Sequence, residues 1–165
     1  MCAIPVFARA EVSPISIRVE QTSGVDREKF TKTQEKVLKI FLTNGSTADV
    51  NNLSVKYYFF GHGVKDHEAG ILDKGERAVS VKAHTTETVE TPAAKASATD
   101  AHVERGKGGF KSSNKKGSGF NSGKKVAASG ERLTGYGVQV FDGSKLLADY
   151  FSEPSLKGKV GGDRK

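Results

Sequence analysis

Residues 34–60, QEKVLKIFLTNGSTADVNNLSVKYYFF, decide the fold. Leu38, Ile40 and Leu42 alternate with Lys39, Phe41 and Thr43. After a polar loop, Leu53, Val55, Tyr57 and Phe59 alternate with Ser54, Lys56, Tyr58 and Phe60. A period of two puts each set on one face of a β-strand, whereas a helix needs apolar residues at i, i+3 and i+4. β-Branched and aromatic side chains suit such a pleated surface. Asn44-Gly45 and Asn51-Asn52 bracket the loop with residues that accept turn dihedrals. The second run ends in Phe59-Phe60-Gly61, apolar on both faces, so this strand is expected to be central and covered on both sides near that end.

The same period extends outward. Ile15, Ile17 and Val19 alternate with Ser16, Arg18 and Glu20, and Pro14 suits a strand entrance. Residues 23–33 are a polar link with Phe30 reaching toward the core. Residues 61–76 are a turn-rich connection anchored at Ile71-Leu72, and Val79, Val81 and Ala83 begin the next strand region. Residues 92–103 are small and polar and lack strand character, which leaves a short helix or an extended edge segment open. From Leu133 the alternation returns in Tyr136, Val138 and Val140, and Asp142-Gly143 before Leu146-Leu147 is a hairpin signal. The expected core is Ile15, Ile17, Val19, Leu38, Ile40, Leu42, Leu53, Val55, Tyr57, Phe59, Val79, Val81, Val138, Val140 and Leu147.

Composition locates what does not pack. The chain has 165 residues, 36% hydrophobic, with 19 glycines and a net charge of +7. The span 104–132 holds Arg105, Lys107, Lys111, Lys115, Lys116, Lys124, Lys125 and Arg132 against only Glu104 and Glu131, so nearly all the net charge resides there. Such a segment buries too little apolar surface to offset its ordering entropy, and a long flexible basic loop within the domain is expected. Turn signals between short strands, without β-α-β alternation, predict an all-β fold. The expectation is one antiparallel immunoglobulin-like β-sandwich of about seven strands over residues 11–157, with a disordered tail at 158–165.

The order of a strand with TNGS, a strand with YYFF, a valine strand and a GYGVQVF–DGSK hairpin resembles immunoglobulin-like and fibronectin-like envelope domains. It is similar in particular to small exported sandwich proteins of gut bacteria linked to pilus or surface assembly. The resemblance covers residues 12–103 and 133–157. Paired cysteines and tryptophan, as in antibody domains, are absent, and so is the long apolar N-terminal helix of a type IV pilin. A pilus role would therefore be that of an associated protein.

Residues 1–10, MCAIPVFARA, place a short apolar run before Ala8-Arg9-Ala10, a small-x-small pattern of the signal-peptidase kind. These residues are expected to be a signal-peptide remnant, leaving Glu11 first and removing Cys2, the single cysteine. No run approaches the ~18–20 apolar residues of a membrane span.

Candidate chemistry is sparse. His62, Asp66, His67 and Glu68 offer imidazole and carboxylate ligands, but their spacing matches no established metal site and a charged turn gives the same letters. His84 and His102 read as isolated surface residues. No Gly-x-Ser-x-Gly elbow occurs, and GKGGFK and GSGFNSGKK lack the spacing of a phosphate-binding loop. No catalytic residue, metal or cofactor is expected, and the chain reads as a non-enzyme. The expected function is an exported binding or assembly module of the cell envelope, with a protein partner or self-association. The alternative is polyanion binding through Arg105, Lys107, Phe110, Lys111, Lys115, Lys116, Phe120, Lys124 and Lys125, where cations and aromatic rings interleave. Export favours anionic glycan, lipopolysaccharide or mucin over nucleic acid as that ligand.

Overall fold

A computed structural model describes residues 13–66, 68–104 and 124–160. Its strands pair antiparallel throughout the described residues. Ile15–Glu28 (β1) and Thr31–Asn44 (β2) form one long hairpin, from Ile15 opposite Asn44 to Glu28 opposite Thr31. The polar link expected at 23–33 is the far half of this hairpin. Its side chains from Gln21 to Glu28 are all exposed, so the ladder is held by the backbone and leaves no hydrophobic signal. The two-residue turn Lys29-Phe30 puts Lys29 at φ 44°, the positive-φ geometry that matches the twist of a tight hairpin.

Val50–Gly63 (β3) lies between Gly70–Val81 (β4) and Ser129–Asp142 (β9). Phe59 is opposite Asp73 on one side and Tyr136 on the other, which makes β3 central as its sequence predicts. Thr86–Glu90 (β5) and Ala94–Thr99 (β6) run in succession along β2. At their junction Thr91 N–H donates to Leu38 O at 3.0 Å, and Leu38 N–H donates to Thr91 Oγ1 at 3.0 Å. A side chain thus closes the ladder beside Pro92, which has no N–H to offer. The strand β6 corrects the reading of 92–103 as lacking strand character. Ala94, Ala96 and Ala98 are buried between exposed Lys95 and Ser97, an alternation written in alanine and therefore easy to miss.

β6 joins β9 where Ala98 faces Gly130 and Thr99 faces Ser129. Gly130 has φ 100°, and a Cβ there would run into Ser97 O and Ala98 Cα, so the crossing requires glycine. Lys145–Phe151 (β10) pairs with β9 on the edge opposite β3, while His102–Glu104 (β7) and Lys124–Val126 (β8) form a separate two-stranded ladder. The order is β1-β2-β6-β9-β3-β4 within an eight-stranded sheet, with β10 on β9 and β5 on β2. Among the described residues ten strands stand where about seven were expected, because β6 alternates only in alanine, β7 and β8 are three residues long, and the Val79–Val89 region divides into β4 and β5.

All fifteen expected core residues fall in one cluster, with Ile17, Val19, Val79 and Leu147 only partly buried. Val89, Ala94, Ala96 and Leu133 join it. Among the described residues the buried polar side chains are Thr91 and Asn44, the latter fully buried at the end of β2. Its Nδ2 donates to Ala48 O and Val81 O at 2.8 and 3.2 Å, and its Oδ1 accepts from Ser46 N–H at 2.9 Å, so the TNGS turn is tied to β4. A second cluster on the other face of β3 holds Tyr58, Phe60 and Leu156. It is covered by a 3-10 turn, Pro154–Leu156, and a short helix, Lys157–Val160 (α1). The tail expected from 158 therefore starts inside α1, and 161–165 lie outside the described residues. Residues 61–76 are also more regular than expected, since β3 runs to Gly63 and β4 starts at Gly70. No described helix is long and apolar enough to cross a membrane.

Candidate polyanion-binding site

The tip of the β1–β2 hairpin meets the corner between β6 and β7 and the start of β9. Phe30 does not reach into the core. It is 47% exposed and stacks on His102, with ring centroids 4.0 Å apart and planes 6° from parallel. The backbone fixes both rings, because Asp100 N–H donates to Phe30 O at 2.8 Å and His102 Nδ1 lies 3.0 Å from Asp100 O. The hydroxyl pairs Thr31–Thr99 at 3.2 Å and Thr33–Ser97 at 2.9 Å stitch β2 to β6 just behind them. His102, expected as an isolated surface residue, is thus part of an aromatic pair.

Beside that stack, Arg27, Lys29, Phe30, Thr31, Lys32, Asp100 and Arg132 line a cleft of about 230 Å³. Arg27 faces Lys32 directly across the hairpin ladder. Like charges directly opposite each other are unfavourable, and here the backbone pairing forces them together. The acid in this lining is engaged already, since Arg132 Nη2 donates to Asp100 Oδ1 at 3.3 Å. Among the described residues, Arg27, Lys29 and Lys32 have no ion-pair partner. A second cleft of about 550 Å³ on the other side of Phe30 is lined by Glu28, Lys29, Phe30, Thr31, Thr99 and His102. Further along β2, burial lowers the ammonium pKa of Lys36.

Two residues of the sequence-expected polyanion set have a described place. Lys124 lies opposite Glu104 and Lys125 opposite Val103 on the β7–β8 ladder, which rises from the Phe30–His102 stack, and both lysines are exposed. Arg105, Lys107, Phe110, Lys111, Lys115, Lys116 and Phe120 lie outside the described residues. Their segment joins the domain at Glu104 and Lys124, at this same end. Arg27, Lys29, Lys32 and Phe30 were not in the expected set. Their signal was present as REKFTK, a run of cations around one aromatic, but it read as a polar link.

The other candidate cluster disperses. His62 Nδ1 is 2.9 Å from Gly63 O, Glu68 reaches Lys159 at 3.8 Å, and His67 lies outside the described residues. Among the described residues, no three His, Cys, Asp or Glu side chains gather as metal ligands. Residues 1–12, including Cys2 and the Ala8-Arg9-Ala10 pattern, are also outside the described residues. Comparison with protein-family models, with curated proteins and with solved structures found no match.

Proposed function

We propose that this chain is a non-catalytic β-sandwich module that binds an anionic glycan at the cationic end of its long hairpin. The strand pairing supports a fibronectin-like arrangement, with β1, β2 and β5–β6 as one layer and β4, β3, β9 and β10 as the other. A core drawn from both groups fits that arrangement, as Leu38, Ile40 and Val89 cluster with Val55, Phe59 and Val138.

The observation that carries the functional reading is the Arg27–Lys32 pair, set face to face and flanked by Lys29 and Arg132 in one cleft. An anion entering the cleft relieves their repulsion and gains charge-assisted hydrogen bonds from the guanidinium forks. Phe30 offers a flat apolar face beside the charges, suited to a sugar ring. Lys124 and Lys125, together with five cations and no acid in residues 105–123, extend the positive field along a chain-like ligand. The export and envelope placement expected from Ala8-Arg9-Ala10 belongs to this proposal and ranks sulfated or phosphorylated glycans ahead of nucleic acid.

The test is a binding panel on the full chain at one ionic strength, using a sulfated oligosaccharide, lipopolysaccharide, single-stranded DNA and neutral dextran. The expected result is binding to the sulfated oligosaccharide and lipopolysaccharide, weaker binding to DNA and none to dextran. Tightest binding to DNA would move the reading to nucleic acid, and equal binding to dextran or no binding at all would end it.

A further inference from the structure

We infer that two copies of this chain pair through the outer edge of β1, antiparallel, about a two-fold axis at Thr22. The strand β1 is the end of the sheet order, and among the described residues nothing pairs with its outer edge. Sheet edges are ordinarily guarded by proline, bulges, covering elements, short length or charged side chains, and the charges on this edge, Arg18 and Asp26, are complementary between two copies. This one is fourteen residues long, its register with β2 is unbroken, and it holds no proline. On it, Val25 is 55% exposed, a large apolar side chain on a stretch otherwise polar from Glu20 to Glu28.

The register follows from symmetry. A two-fold axis perpendicular to the sheet superposes like faces, so even-numbered positions must face even-numbered ones. Centring the pair on Thr22 sets Arg18 opposite Asp26 of the second copy and Val19 opposite Val25, each contact occurring twice. Moving the centre to Ser23 sets Glu20 against Asp26, and moving it to Gln21 leaves Arg18 facing Gly24 and Asp26 facing Ser16. The Ser23 register also pairs Arg18 with Glu28 but opposes two acids, and the Gln21 register sets Val25 against Ile17 but pairs no charges. Only the Thr22 register pairs opposite charges, opposes no like ones and sets Val25 against an apolar side chain. In the single chain the Arg18 guanidinium lies 3.0 Å from Glu20 and 4.2 Å from the centroid of the Phe41 ring on β2, and in the dimer it turns outward to reach Asp26 of the second copy.

In such a dimer the two hairpin tips point in opposite directions. Lys29 is seven residues from the axis, so at ~3.3 Å per residue the tips stand ~45 Å apart. Two anion-binding ends at that separation would bridge polyanion chains and gain avidity that one end cannot supply. The pairing itself does not depend on what the tips bind.

The test uses the full chain with Cys2→Ala, so that an introduced cysteine is the sole thiol. Thr22→Cys places two sulfurs across the axis at a separation a disulfide spans, and mild oxidation is expected to give mainly covalent dimer. Ser23→Cys, on the opposite face and offset from its own copy, is expected to stay monomeric under the same oxidation. Sedimentation equilibrium adds a charge-swap cycle. Asp26→Arg and Arg18→Asp each weaken dimerisation about five- to tenfold, since each removes two exposed ion pairs, and the double variant restores it to within about twofold. Equal cross-linking at positions 22 and 23, monomer into the millimolar range, or a double variant no better than the singles would each overturn the inference.

Discussion

Phe59→Ala is expected to lower the unfolding free energy by about 3–5 kcal/mol, a large share of the roughly 5–15 kcal/mol available to a domain. Phe59 is fully buried on the central strand, between the ladders to β4 and β9. Its ring meets Tyr57 edge to face, with centroids 6.3 Å apart, and the surrounding cluster draws on strands from every part of the sheet. The void left by the ring is walled by Leu, Ile and Val side chains held in ladders on several sides, so collapse into it is limited. Phe60 gives the comparison. It is equally buried, but on the opposite face, under Leu156 and Phe151. Besides Phe151 of β10, that cover is a short turn and a four-residue helix, which can settle into the space. Phe60→Ala should therefore cost about 2–3 kcal/mol, near the lower end for a buried large-to-small change. Urea denaturation followed by circular dichroism measures both. A Phe60→Ala protein less stable than Phe59→Ala would contradict the assignment of the main core.

The second large effect is on binding. Reversing Arg27, Lys29 and Lys32 together to glutamate is expected to weaken affinity for a sulfated oligosaccharide by about 10²–10³-fold. The same change should reduce the steepness of its salt dependence by about two to three, by analogy with phosphate contacts. All three side chains stand at or near the exposed tip, away from both apolar clusters, so the melting temperature should move little. A reversal of three exposed cations outside the tip, Lys39, Arg77 and Lys82, makes the same change in net charge and should change affinity far less. If both variants lost affinity alike, the effect would belong to overall charge and not to the hairpin tip.

The difference between what could be read from the sequence and what needed the fold is physical. Core strands announce themselves when the buried face is built from large apolar side chains, and fifteen such positions were legible, while Val89 and Leu133, at strand positions with little alternation around them, were not. β6 buries alanines, whose small apolar area scarcely separates the two faces of a strand. The far half of β1 buries nothing, and backbone hydrogen bonds leave no compositional trace. The β7–β8 ladder has three residues on each side, below the length at which alternation can be recognised. The proposed binding end was harder still. Arg27, Lys29 and Lys32 are neighbours in sequence, but Asp100, His102 and Arg132 come to them only through the β2–β6 and β6–β9 pairings. Of the charge excess of 104–132, Arg132 lines the cleft at the hairpin tip, and Lys124 and Lys125 stand on the β7–β8 ladder at that same end. The partner of this segment across the cleft lay some 70 positions away in the chain, as the Thr31–Thr99 contact illustrates.

The most direct test of the central claim is lysine acetylation of the full chain, free and with a sulfated oligosaccharide, read by mass spectrometry at each site. The account predicts protection at Lys29, Lys32, Lys124 and Lys125, with Lys39, Lys82 and Lys95 reacting as they do in the free protein. Protection spread evenly over all lysines, or concentrated at Lys82 and Lys39 with the hairpin tip unchanged, would contradict it.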